Sequence, residues 1–114
     1  MDRYGPNTAE VERLLERMET ITAEEDIALG KAWKGGKAWD AAWDNARGSS
    51  RKSDRSDAVS DAWRIIEHLE VWDDDWDAAR DAVLALVVRD LISQEDFDVL
   101  YGPWASVMEV EHDR

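Results

Sequence analysis

The chain has 114 residues and no cysteine, and its 27 acidic side chains outnumber 14 basic ones, giving a net charge of −13 at pH 7. The lack of cysteine excludes disulfides, thiol catalysis and cysteine-based zinc sites. An apolar content of 44% predicts a folded core, and the surplus of acid disfavours nucleic acids and anionic membranes as direct partners.

The first predicted helix begins at a capping pattern near the N-terminus. Asn7 stands three residues before Glu10, which is typical of a helix start. Apolar residues then recur at steps of three or four, so the pattern predicts a helix from about Thr8 to Glu19.

A second capping box, formed by Thr22 and Glu25, opens the next helix. The apolar stripe within residues 29–46 keeps the same phase on both sides of the glycine pair at 35–36. We therefore favour one helix through the glycines, with two helices and a tight turn as the alternative. The small, polar and basic residues 48–53 are predicted to form a loop.

The following helix is predicted to start between residues 54 and 57, and its apolar stripe runs from Val59 to Leu86. The stripe keeps its phase through the acidic run 73–75. One long helix reaching Leu91 would measure about 55 Å at about 1.5 Å per residue. A break would instead place these acids in the first turn of another helix, where the helix dipole favours negative charge. Both alternatives stay open.

The last helix is predicted to begin at its cap Ser93 and to end at Gly102-Pro103. One further packed turn is indicated by Trp104, Val107 and Met108. The sequence thus predicts an all-α fold, a compact bundle of four to five helices, including one long helix if the acidic run does not interrupt it. Residues 1–108 are expected to form a single helical domain, and residues 109–114 a polar C-terminal tail.

Seven tryptophans occur, among them two pairs spaced four residues apart, Trp39 with Trp43 and Trp72 with Trp76. Each pair shares a helix face, and we interpret these rings as core rather than as a platform for stacking ligands. Both pairs belong to a pattern, W-D-x-x-W-D-x-A-R, that starts at residues 39 and 72. We interpret the repeat as two packed helices that use the same tryptophan geometry.

Three segments carry a resemblance to other proteins: KAWDAAWD at 37–44, LVVRDLI at 86–92 and FDVLYGPW at 97–104. They resemble small Trp-, Asp- and Ala-rich helical proteins of actinobacteria and their phages. The resemblance implies a source with a GC-rich genome, bacterial or viral. It implies no activity and assigns no role to any residue.

No motif indicates catalysis, a metal or a cofactor. An EF-hand register starting at Asp73 fails because Ala78 and Leu84 stand where glycine and glutamate are needed. The two histidines, His68 and His112, lack the spacing of a zinc site. No phosphate-binding loop or nucleophile elbow is present. We therefore predict a protein that is not an enzyme and that uses no cofactor.

One acidic stripe is the candidate partner-binding site. If the helix through residues 69–86 turns its apolar residues inward, a row of carboxylates faces outward at steps of four, three and four. The row consists of Glu70, Asp74, Asp77 and Asp81, with Asp73 beside it. Such a row can imitate a phosphate backbone, which is the physical basis of DNA-mimic inhibitors. The alternative is a solvated face that only keeps the protein soluble.

These observations favour a protein–protein interaction module whose acidic second half docks on a basic partner. Residues 58–114 carry 15 acids and 4 bases, a net of −11, against 12 acids and 10 bases, a net of −2, in residues 1–57. A finer hypothesis is a phage-encoded inhibitor of a nucleic-acid-binding protein. Because no signal peptide or membrane span is visible, a cytoplasmic location is expected. The alternatives are a homodimer formed through exposed rings and a small-ligand pocket lined by Trp33, Trp39 and Trp63.

Overall fold

Six α-helices make up most of the chain, and the computed structural model describes residues 3–33, 36–69 and 73–108. The helices are α1 (Thr8–Glu19), α2 (Ala23–Ala32), α3 (Lys37–Lys52), α4 (Ser56–His68), α5 (Asp73–Val87) and α6 (Gln94–Met108). Two 3-10 turns, Gly5–Asn7 and Arg89–Leu91, lie before α1 and between α5 and α6. The all-helical prediction is confirmed for these ranges, but there are six helices rather than four or five because both candidate breaks occur.

Helix α5 occupies the centre of the bundle. It contacts each of the other five helices, and every side chain from Asp81 to Val88 is buried. The apolar run at 82–88 explains this position, since a helix that is apolar on all sides must be covered on all sides. The helices enclose it in a compact globule with a radius of gyration of 13.1 Å.

The prediction of one helix through the glycine pair is wrong. Helix α2 ends at Ala32 and α3 begins at Lys37, and Gly36 has φ +117° and ψ −174°. This backbone conformation is open to glycine and strongly disfavoured for other residues. The turn redirects the chain so that Trp33, before it, and Trp39, after it, meet edge to face with centroids 5.8 Å apart.

The predicted loop at residues 48–53 is also wrong, because α3 continues to Lys52. Two serine side chains bond back to carbonyls of the same helix: Ser50 Oγ donates to Arg47 O at 2.8 Å, and Ser53 Oγ donates to Ser49 O at 2.7 Å. The buried position of Ser50 shows that packing outweighs the loop propensity of this segment. The chain turns instead at Asp54, which has φ +62°.

The helix starts that capping patterns predicted agree with the structure better than the predicted helix ends do. Helix α1 spans Thr8–Glu19 as predicted, and Thr22 and Glu25 form the capping box with bonds of 3.1 and 3.0 Å. Ser93 Oγ accepts from Asp96 N at 3.1 Å at the start of α6. Asn7 does not cap α1, since its side chain donates to Leu86 O, on α5, at 3.0 Å.

Helix α6 does not end at Gly102-Pro103 but continues to Met108. Its buried side chains Phe97, Leu100, Trp104 and Met108 keep helical spacing past the proline. Burial of the last two offsets the helix-breaking effect of Pro103. None of the helices in the described ranges is long and apolar enough to cross a membrane.

Candidate functional site

The predicted acidic stripe on α5 does not form one outward surface. Glu70 and the side chains of Asp73 and Asp74 lie outside the described residues. The side chain of Asp77 is 35% exposed and lies 3.7 Å from Arg80. Asp81 is 1% exposed, so the expectation that it faces outward is wrong. The reason is the central position of α5, which is covered on the side that periodicity assigned to solvent.

Asp81 is the acceptor at the centre of a polar cluster within the core. Its Oδ2 accepts hydrogen bonds from Trp33 Nε1 at 2.8 Å and Trp39 Nε1 at 2.6 Å. Its Oδ1 lies 3.3 Å from both Nε and Nη2 of Arg80. Burial raises the pKa of Asp81 above its usual value, although the two indole bonds and the Arg80 charge oppose the shift. The carboxylate is thus surrounded by donors and offers no free face to a partner.

The two indoles that donate to Asp81 begin a chain of five rings in successive contact. This chain, the tryptophan cluster, consists of Trp33, Trp39, Trp43, Trp63 and Trp76. Successive centroids are 5.8, 5.4, 5.8 and 6.3 Å apart, which is the range of favourable aromatic contact. The guanidinium of Arg80 lies 4.7 Å from the ring of Trp43 and 5.1 Å from that of Trp76. The cluster packs against the apolar core.

The repeated sequence pattern has its counterpart in this cluster. Trp39 and Trp43 come from the first copy on α3, and Trp76 and Arg80 come from the second copy on α5. The arginine of the second copy therefore covers rings of both copies. This agrees with the interpretation of two packed helices, while Trp72 lies outside the described residues.

The three tryptophans expected to line a ligand pocket donate hydrogen bonds within the protein. Trp33 and Trp39 donate to Asp81, and Trp63 Nε1 donates to Arg80 O at 3.2 Å. A ligand lying between these rings would have to displace these bonds and separate rings already in contact. The same packing leaves these three rings only partly exposed.

An acidic row that is exposed lies on α1 instead. Glu12, Glu16 and Glu19 are exposed at steps of four and three, along one flank of the exposed surface of the helix. We call these three residues the α1 acidic face. Nearby, burial raises the pKa of Tyr4; the charge of Arg3 lowers it, and the charges of Asp61 and Glu12 raise it further.

Sequence reasoning missed the α1 acidic face because Arg13 and Arg17 interrupt it along the chain. A helix turns 100° per residue, so these arginines lie on the other flank of the exposed surface. Plotting the charges around the helix, rather than along it, would have found the face. Because α1 has the bounds that the sequence predicted, the position of each charge around the helix could have been worked out from the sequence.

Comparison with known proteins adds no assignment. No protein-family model, curated protein or solved structure matches the chain.

Proposed function

We propose that this protein is a non-catalytic interaction module that binds a basic protein partner through the α1 acidic face. The observation that carries the proposal is the row of three exposed carboxylates, Glu12, Glu16 and Glu19, on a helix that its apolar side chains anchor to the core. A helix that is held rigidly presents such charges in one geometry, so a partner meets a preorganised surface.

The net charge of −13 supports the same proposal at long range. A field of one sign accelerates the approach of an oppositely charged protein and discourages wrong partners. The effect weakens when salt shortens the screening length, which is about 10 Å at 0.1 M. Binding that depends on this face should therefore weaken with added salt.

A finer hypothesis is that the partner is a cytoplasmic nucleic-acid-binding protein that this chain inhibits by imitating DNA, as a phage product would. At about 1.5 Å per residue the three carboxylates are spread over about 10.5 Å of α1. A DNA strand carries a phosphate about every 3.4 Å along its axis, so the row is sparser than DNA. Displacement by duplex DNA is the test that separates a DNA mimic from a general acidic module.

The test is capture of partners from an actinobacterial lysate by wild-type protein and two variants with equal charge change. One variant neutralises the α1 acidic face by Glu12→Gln, Glu16→Gln and Glu19→Gln. The control neutralises three other exposed acids by Asp40→Asn, Asp44→Asn and Asp54→Asn. We expect to recover a basic partner that added salt releases. Its affinity should be about tenfold or more lower for the first variant, and within about twofold of the wild-type value for the control.

Two outcomes would contradict the proposal. If both variants bind the partner like the wild type, the α1 acidic face is not the surface. If the bait recovers only itself and light scattering shows a dimer, self-association replaces docking on a basic partner. Release of the partner by excess duplex DNA would support the finer hypothesis, and retention would contradict it.

A further inference from the structure

A cleft between α1 and α6 gathers positive charge on an otherwise acidic protein. Its volume is about 480 Å³, which lies in the range of small-molecule sites. Its charged lining consists of Arg13, Arg17, Arg89 and Glu10. Three of the chain's 14 basic residues thus face one concavity, although the net charge is −13.

The floor of the cleft is apolar and already shielded from water. The side chains that form it are each at most 5% exposed: Leu14, Leu86, Phe97, Trp104 and Met108. Tyr101 also lines the cleft and stacks on Phe97 with ring centroids 5.0 Å apart. Because the floor side chains are already covered, the aromatic surface that a ligand can reach without a rearrangement of the helices is the partly exposed ring of Tyr101.

The arginines differ in what they already bind. Arg17 donates to Glu25 and Thr20, so part of its charge is neutralised within the protein. Arg89 lies with its guanidinium 4.3 Å from the centroid of Phe97. Within residues 3–33, 36–69 and 73–108, neither Arg13 nor Arg89 takes part in an ion pair. These two side chains are the ones available to an anion.

We infer that this cleft binds a small organic anion, with a planar apolar body and one carboxylate or phosphate group. The body packs against the partly exposed ring of Tyr101 within the cleft, and the anionic group pairs with Arg13 and Arg89 at the rim. A guanidinium presents parallel N–H donors that match both anionic groups. The inference is independent of the proposed docking function, because it uses the opposite flank of α1.

The first experiment compares three probes with the same ring system by isothermal titration calorimetry on the full chain. The probes are naphthalene-1-acetate, 1-naphthyl phosphate and the uncharged naphthalene-1-ethanol. We expect each anion to bind at least about tenfold more tightly than the alcohol, because a charged hydrogen bond contributes that much or more. The tighter of the two anions identifies the group that the site prefers.

Variants then locate the binding. Arg13→Ala and Arg89→Ala should each weaken binding of the anions about tenfold and leave the alcohol unchanged. Arg64→Ala is the matched control, because this α4 side chain is 67% exposed and makes the same change in net charge. It should keep the anion affinity within about twofold.

Three results would overturn the inference. They are equal affinity for anions and alcohol, no anion binding up to millimolar concentration, and wild-type anion affinity in both Arg13→Ala and Arg89→Ala. Thermal unfolding of each variant confirms that a loss of affinity does not come from a loss of fold, which the exposure of Arg13 and Arg89 makes a simple control.

Discussion

Asp77 and Asp81 lie one turn apart on α5 and both approach Arg80, but they meet different surroundings. The Asp77 side chain is 35% exposed and stands 3.7 Å from the arginine. Asp81 is 1% exposed and accepts two indole hydrogen bonds in addition to its contact with Arg80. The same residue type on the same helix is therefore a partly exposed charge at position 77 and a buried hydrogen-bond acceptor one turn later, at position 81.

The largest difference between the two aspartates is expected in stability. Asp81→Ala leaves the N–H groups of Trp33 and Trp39 without their acceptor and removes a partner of Arg80. We expect the free energy of unfolding to fall by about 3–5 kcal/mol, since each buried donor left unsatisfied is costly and breaking a buried charge pair costs about that much. Urea unfolding followed by circular dichroism measures it.

Asp77→Ala is the matched control for this substitution. A half-exposed ion pair contributes about 0–1 kcal/mol, so the free energy of unfolding should fall by no more than that in the control. Equal losses in Asp81→Ala and Asp77→Ala would contradict the assignment of Asp81 as the acceptor that holds α3 and α5 together.

A second prediction concerns the donors to Asp81. Trp39→Phe removes the 2.6 Å bond to the carboxylate, whereas Trp43→Phe removes a similar ring area. Trp43 Nε1 makes no hydrogen bond to the described residues. We expect Trp39→Phe to cost about 1.5–3 kcal/mol more, the contribution of a hydrogen bond to a charged group. Equal costs would show that ring packing alone stabilises the cluster.

The position of Asp81 marks the limit of what the sequence could predict. A prediction from apolar periodicity treats each helix as buried on one side. This is true of α1, whose bounds and apolar buried side were predicted correctly. It failed for α5 because this helix is surrounded by the five others. The uninterrupted apolar run at 82–88 was the available signal, since it required burial on all sides next to Asp81.

The ends of α2 and α6 also differ from the ends that the sequence predicted. The conformation of Gly36, which is open to glycine, precedes α3, and Trp33 meets Trp39 across the interruption, a contact that the apolar pattern does not reveal. Pro103 fails to end α6 because Trp104 and Met108 are buried beyond it. In both places contacts between distant residues decide the outcome, and the arginine cleft likewise arises only when α1 and α6 meet.

The raised pKa of Asp81 predicts a pH dependence that Asp81→Asn removes. Between the ordinary value of 3.8 and the raised pKa, the folded chain binds more protons than the unfolded chain. The contribution of this group to stability therefore falls as pH rises through that window, by at most about 1.4 kcal/mol per pH unit. Glu25 and Asp90, whose pKa values are lowered, act in the opposite direction but are present in both proteins.

The measurement is the unfolding free energy of wild type and Asp81→Asn across pH 3 to 8. The difference, wild type minus variant, should decrease as pH rises from the acidic end and become constant above the raised pKa. A difference that is constant throughout would contradict the raised pKa. A difference that increases with pH would mean that the indole and Arg80 contacts outweigh burial.

The smallest effect is expected for Asp77→Asn, and its size tests the other half of the comparison. The substitution keeps the shape of the side chain and removes only its charge, which faces Arg80 across 3.7 Å at a partly solvated site. We expect a loss of about 0–1 kcal/mol that shrinks further in high salt, because screening weakens an ion pair that water reaches. Arg80 keeps its contacts with Asp81, Trp43 and Trp76 in this variant, so its position over the rings should be preserved. A loss of about 2 kcal/mol or more, insensitive to salt, would place Asp77 with Asp81 inside the cluster.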